Sequence, residues 1–144
     1  MTNRQKKGSV SSKFRCGVCG KVASTLTLAV PGQPDPRLTP EPKGLPPGIS
    51  MVFKETTRLA IDGGPAAGTV SVPHDQVNRV KAALLAGNAA ELYAIDREFA
   101  PFWCPKCEQS YCKKHYVSFA EFDDGCFDCY TGICPQGHKR ILSD

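Results

Sequence analysis

Three features of the sequence predict a small α+β fold assembled around metal ions. Cysteine and histidine recur in close pairs, most of them after residue 103. Apolar residues alternate in stretches on either side of a proline-rich segment, which is the two-residue period of a strand. Helical spacing takes over only between about residues 75 and 95. The 144 residues suit one domain. The expected division is a flexible basic tail over 1–15 and a single metal-binding domain over 16–144, containing a mobile proline-rich loop (31–48) and a C-terminal ligand cluster (104–140).

The tail carries Arg4, Lys6, Lys7, Lys13 and Arg15 and no acid. Without those five of its 18 basic residues, the chain has 13 bases against 14 acids. The net charge of +4 therefore reflects a solvated arm, and nucleic acid is not the expected partner. Cys16-Gly17-Val18-Cys19-Gly20-Lys21 has the form of a knuckle, a tight turn whose amides point at two thiolates and whose glycine supplies positive φ. Residues 22–30, VASTLTLAV, follow as a strand with Val22, Ser24, Leu26, Leu28 and Val30 on one face. Seven prolines within residues 31–48 leave no room for a ladder or a helix.

Residues 49–61 resume a strand, with Ile49, Met51, Phe53, Leu59 and Ile61 alternating onto one face. The run Asp62 to Gly68 is a turn, and Thr69–Val72 returns as the second strand of a hairpin. Asp75 can cap a helix with Val77, Val80, Leu84 and Leu85 on one face, ended by Gly87. Asn88 and Glu91 form a capping box for a shorter second helix. The link between the helices is too short for a DNA-reading helix-turn-helix, and the second helix has no basic cluster, so this is a packing hairpin.

Five close pairs carry the chemistry: Cys16/Cys19, Cys104/Cys107, Cys112/His115, Cys126/Cys129 and Cys134/His138. A spacing of two or three residues lets one turn present two donors to an ion, and tetrahedral zinc then needs a second pair from elsewhere. The opening MTNRQKKGSVSSKF has no apolar core of an export signal. No apolar run approaches the roughly 20 residues of a membrane span. The expected location is therefore cytoplasmic, where clustered thiols bind metal rather than form disulfides. Zinc is the expected ion, two per chain, since histidine in separate pairs argues against iron–sulphur ligation. There is no H-E-x-x-H, and the deaminase H-x-E with P-C-x-x-C is absent, so no catalytic residue is assigned. Asp123-Asp124-Gly125 is a turn, and His74 a surface histidine.

Two pairings satisfy the spacing. A C-terminal cross-brace joins Cys104/Cys107 to Cys126/Cys129 and Cys112/His115 to Cys134/His138. A zinc-ribbon or treble-clef scheme instead joins Cys16/Cys19 to Cys104/Cys107, keeps Cys112/His115 with Cys134/His138, and leaves Cys126/Cys129 spare, with the β-hairpin and helical hairpin inserted between the knuckles. The second is preferred, because the first knuckle is too well formed to lie idle in a tail.

WCPKCEQSYCKKHY resembles the C-x2-C-x4-C-x2-H core of AN1-type, FYVE-type and B-box cross-braced fingers. Cys134-Pro135-Gln136-Gly137-His138 with Lys139-Arg140 is similar to the closing motif of RING domains, though the neighbouring pairs lie closer together than RING spacing. The run FDDGCFDCYTGICPQGHKR is similar to the ends of small, uncharacterised bacterial zinc proteins. The expected function is a structural-zinc module for protein–protein interaction, with the aromatics Phe102, Trp103, Tyr111, Tyr116, Phe119, Phe122, Phe127 and Tyr130 supplying core and surface. The RING resemblance implies an alternative, an E3 ligase that docks a ubiquitin-type conjugating enzyme through Val18 and polarises its thioester with Lys139 or Arg140. Nucleic-acid binding through the tail is the weaker third reading.

Overall fold

The protein is described by a computed structural model over residues 10–30 and 57–143. Its first half is a four-stranded antiparallel sheet in the order β1 (Val10–Arg15), β2 (Val22–Ala29), β3 (Arg58–Asp62), β4 (Gly68–Ser71). The register sets Leu26 opposite Ile61 and Leu28 opposite Leu59, so one face of the sheet is a continuous apolar surface. Helices α1 (Val77–Ala86) and α2 (Ala89–Ile95) bring Val80, Ala83, Leu84, Ala89 and Leu92 to the same core. Each buried valine or leucine among them contributes about 1.5–3 kcal/mol.

Two of the three predicted helix signals hold; Asp75, expected to cap the first helix, lies instead in a short 3-10 turn (His74–Gln76), and α1 opens at Gln76 without a side-chain cap. Gly87 takes φ 64° and closes α1. The Asn88 side chain accepts the Glu91 amide at 3.1 Å and opens α2. In α1 the exposed apolar residue is Leu85, 70% accessible, whereas Ala83 faces the core; the expected apolar face was rotated by one position. Val10–Arg15, expected within a flexible arm, is the edge strand β1, and Phe14 from it stacks on Phe102 with centroids 4.9 Å apart. The expected 31–48 loop, and Ile49, Met51 and Phe53, lie outside the described residues. Gly64 is required in the β3–β4 turn: its φ is +82°, and a Cβ there would lie 2.8 Å from the Ala23 carbonyl oxygen.

The second half contains two smaller antiparallel sheets, β5 (Trp103–Cys104) with β6 (Gln109–Ser110), and β7 (Val117–Asp123), β8 (Cys126–Ile133), β9 (Lys139–Ser143) in that order. Asp124 and Gly125, at φ 53° and 80°, make the two-residue turn between β7 and β8 that suits strand twist. Gly132 lies under Leu142, whose side chain would meet a Cβ at 2.6 Å. Arg140 ties this sheet to the body: its Nη1 donates to the carbonyls of Trp103 (2.7 Å) and Ala100 (3.2 Å), and its Nη2 to that of Arg97 (3.0 Å). Among the described residues no helix is long and apolar enough to cross a membrane.

Candidate metal centres

Four of the five pairs sit at turns. Cys16/Cys19 occupy the β1–β2 turn, Cys104/Cys107 the β5–β6 turn and Cys134/His138 the β8–β9 turn, while Cys112/His115 form the turn after β6. In the first knuckle the Gly20 amide donates to the Cys16 carbonyl at 2.9 Å, and the Val18 amide to the Cys16 Sγ at 3.4 Å. The second repeats the pattern: the Glu108 amide donates to the Cys104 carbonyl at 2.8 Å, and the Cys107 amide to the Cys104 Sγ at 3.5 Å. The residue closing each turn has positive φ, Gly20 at 76° and Glu108 at 55°. His138 donates its amide to the Cys134 Sγ at 3.4 Å. These amides place partial positive charge beside sulphur before any cation arrives.

The turns converge in two groups, Cys16/Cys19/Cys112/His115 and Cys104/Cys107/Cys134/His138, with all donor atoms of a group within 4.8 Å of one another. Their spacing is that of a tetrahedron around one ion. Zn–S of about 2.3 Å and Zn–N of about 2.0–2.1 Å imply S···S edges of about 3.8 Å and S···N edges of about 3.5–3.6 Å. In the first group Cys19 and Cys112 sulphurs are 3.8 Å apart, and the His115 Nδ1 lies 3.6 Å from Cys16 and 3.2 Å from Cys112. In the second, Cys107 and Cys134 are 3.7 Å apart, and the His138 Nδ1 lies 3.6, 3.3 and 3.4 Å from Cys104, Cys107 and Cys134. A disulfide would need about 2.05 Å, and these cysteines are free thiols. Two Cys3His clusters therefore fit two zinc ions.

A family model described as a domain of unknown function, DUF8328, matches residues 6–144. The chain belongs to that family. Neither the curated proteins nor the solved structures yield a match. The match to DUF8328 spans both clusters and the apolar body, so the two halves form one family unit.

The electrostatics of the thiols show why a cation belongs here. Burial pushes the Cys104 thiol up to about 11, with the Cys107 and Cys134 side chains adding to the rise against local amides. Burial acts the same way on Cys16, but hydrogen bonds from the backbone at Cys112, Cys19 and Val18 outweigh it and bring this thiol down to about 6. Cys134 is also lowered, the amides of His138 and Gln136 overcoming its burial. Packed thiols cannot all ionise together without a counter-charge, and metal binding supplies it while releasing the remaining protons.

The geometry corrects the expected partnership of pairs. Both sequence schemes placed Cys112/His115 with Cys134/His138; instead Cys112/His115 joins Cys16/Cys19, and Cys134/His138 joins Cys104/Cys107. The alternation belongs to the cross-brace scheme, but its first member is the upstream knuckle. Cys126 and Cys129 stand outside both groups. Cys126 is exposed, and Cys129 is buried with its Sγ 3.8 Å from the Thr131 hydroxyl, which donates to the Glu121 carboxylate. His74 is exposed at the start of a short 3-10 turn. Arg140, expected to face a conjugating enzyme, has both terminal nitrogens bonded to backbone carbonyls and its guanidinium 4.9 Å over Tyr93. Val18 is 53% exposed at the knuckle tip. Lys139 lies over the Phe119 ring at 5.8 Å. Of the aromatics, Phe102, Tyr111 and Tyr116 are core, whereas Phe119, Phe122, Phe127 and Tyr130 are exposed.

Proposed function

We propose that this chain is a non-catalytic module in which two structural zinc ions hold a protein-interaction surface. The ligands in this reading are Cys16, Cys19, Cys112 and His115 for one ion and Cys104, Cys107, Cys134 and His138 for the other. The observation that carries it is the pair of complete four-donor clusters. Four protein ligands close a zinc coordination sphere, leave no position for an activated water, and contribute folding energy. With three thiolates and a neutral imidazole each site carries about one negative charge, less than four thiolates would give. Elemental analysis of purified protein tests the reading. It expects close to two zinc ions per chain, retained in Cys126→Ser; intact protein without zinc overturns it.

A second reading, a RING-like ligase, is favoured by the alternation of ligand pairs and by exposed Val18. It requires Lys139 rather than Arg140 at the docked thioester, since Arg140 is engaged internally. A discharge assay with a charged ubiquitin-type conjugating enzyme separates the two, because the ligase must accelerate thioester loss and Val18→Asp must abolish the acceleration.

A further inference from the structure

The β7–β8 hairpin combines features that the metal centres do not use. Phe122, Phe127 and Tyr130 are 65%, 48% and 42% exposed. Their rings run together, Phe122 to Phe127 at 6.2 Å and Phe127 to Tyr130 at 5.0 Å. The register explains the stripe: Phe122 pairs with Phe127 across the strands, and Ala120 pairs with Tyr130. The extra residue between Phe127 and Cys129 opposite Glu121 and Phe122 returns Tyr130 to the side of Phe127. Isolated exposed aromatics are ordinary, whereas three neighbouring rings on one hairpin form a candidate docking stripe.

The charge around this stripe has one sign. From Val117 to Ile133 the chain carries Glu121, Asp123, Asp124 and Asp128 and no lysine or arginine. Asp123, Asp124 and Asp128 are exposed, and among the described residues no basic side chain pairs with them. Aromatic faces attract cations through their quadrupole, weakly at exposed sites and more strongly once water is displaced. Lys139 already sits over Phe119 in this sheet. Carboxylates on the same hairpin add Coulomb attraction for the same ligand and repel phosphate, so a nucleic acid is disfavoured. A symmetric pairing of two copies through this face would set the same acids against each other.

We propose that the β7–β8 hairpin docks an arginine- or lysine-bearing extended segment of a partner protein, with cations over Phe122, Phe127 and Tyr130 and against Asp123, Asp124 and Asp128. This rests on the reading of the chain as an interaction module and names the chemistry of its partner. Aliphatic stems of arginine or lysine cover the rings while the charged heads meet the carboxylates.

The test uses the full zinc-loaded chain and a short labelled peptide alternating arginine and leucine, read by fluorescence anisotropy. A second peptide has glutamate in place of every arginine. The account expects saturable binding of the first, weakened by added salt, and none of the second. Phe122→Ser with Phe127→Ser, and separately Asp123→Asn with Asp128→Asn, should each weaken binding about tenfold or more. All four positions are exposed, so zinc content and the thermal transition should match the parent protein. Absent binding, equal binding of both peptides, or binding unmoved by the hairpin variants overturns the proposal. So does sedimentation showing a dimer that Phe122→Ser with Phe127→Ser dissolves. Zinc content near two in any of these cases leaves the structural-zinc reading standing; loss of zinc without unfolding counts against that reading instead.

Discussion

The two halves of this molecule are stabilised by different physics. The β1–β4 sheet and the two helices enclose aliphatic and phenylalanine side chains, among them Leu26, Leu28, Leu59, Ile61, Leu84, Leu92 and Phe99. The second buried cluster is Cys16, Cys104 and Cys134 with Tyr111, Tyr116, Ala23 and Leu142. Its cysteines take the positions that apolar residues fill in the first. β7 buries none of its residues. A region so poor in apolar burial has little to offset its conformational entropy, and in the proposed reading ion coordination supplies what the side chains do not. The halves are not independent, because Cys16 and Cys19 lie at the end of the β1–β2 hairpin and reach the ligands after β6.

The largest test of this contrast is His138→Ala. It removes a donor from the second cluster, where the ion is worth on the order of 10 kcal/mol to folding. The expected result is loss of one zinc and loss of amide-exchange protection in β7–β9, with β2, β3 and α1 still protected. Equal loss of protection in both halves would show that the apolar body cannot stand without the second ion. Leu28→Ala probes the other half. Its side chain is fully buried, so the substitution should cost about 2–5 kcal/mol with zinc content unchanged, as read by thermal unfolding and elemental analysis.

A smaller effect concerns protons. In the folded arrangement, before zinc is added, burial raises the Cys104 thiol to about 11 and backbone hydrogen bonds lower Cys16 to about 6, so at pH 7 the first keeps its proton and the second does not. Zinc needs thiolate at both. Binding at the second cluster therefore releases the Cys104 proton, and affinity there rises as pH increases through neutrality. Cys16 weakens the first cluster only when pH falls through about 6. Calorimetry in buffers of different ionisation enthalpy should detect the release, and Cys104→Ser should reduce it. The smallest effect is in the knuckles. Gly20→Ala should cost about 1 kcal/mol because a side chain resists positive φ, whereas Glu108→Gly should be neutral or slightly stabilising.

Much of this arrangement was legible in the residues, and the failures have separate causes. The turns that present the donors are local, so Cys-x-x-Cys and Cys-x-x-His spacing reveals them. Asn88 and Gly87 likewise state their roles through short-range backbone needs. Which turn faces which is decided by packing across long sequence separations, and spacing carries no such information; Cys112 could not be assigned to Cys16 from the text of the chain. The β7–β8 hairpin was a different failure. Asp124-Gly125 between alternating residues is a strong hairpin signal, but the cysteines around it carry a competing metal-ligand pattern that masks the flanking strands. β1 is half polar, with Ser11, Ser12 and Lys13, and its edge position explains why only Phe14 is buried there.

The pairing of ligands is the central claim, and one double substitution tests it directly. In the structure Cys16 and Cys112 belong to the same cluster. Elemental analysis of Cys16→Ser with Cys112→Ser should therefore find about one zinc per chain, held by Cys104, Cys107, Cys134 and His138. If Cys16 and Cys112 serve different ions, the same protein must lose both. A folded double variant carrying no zinc would contradict the interleaved arrangement.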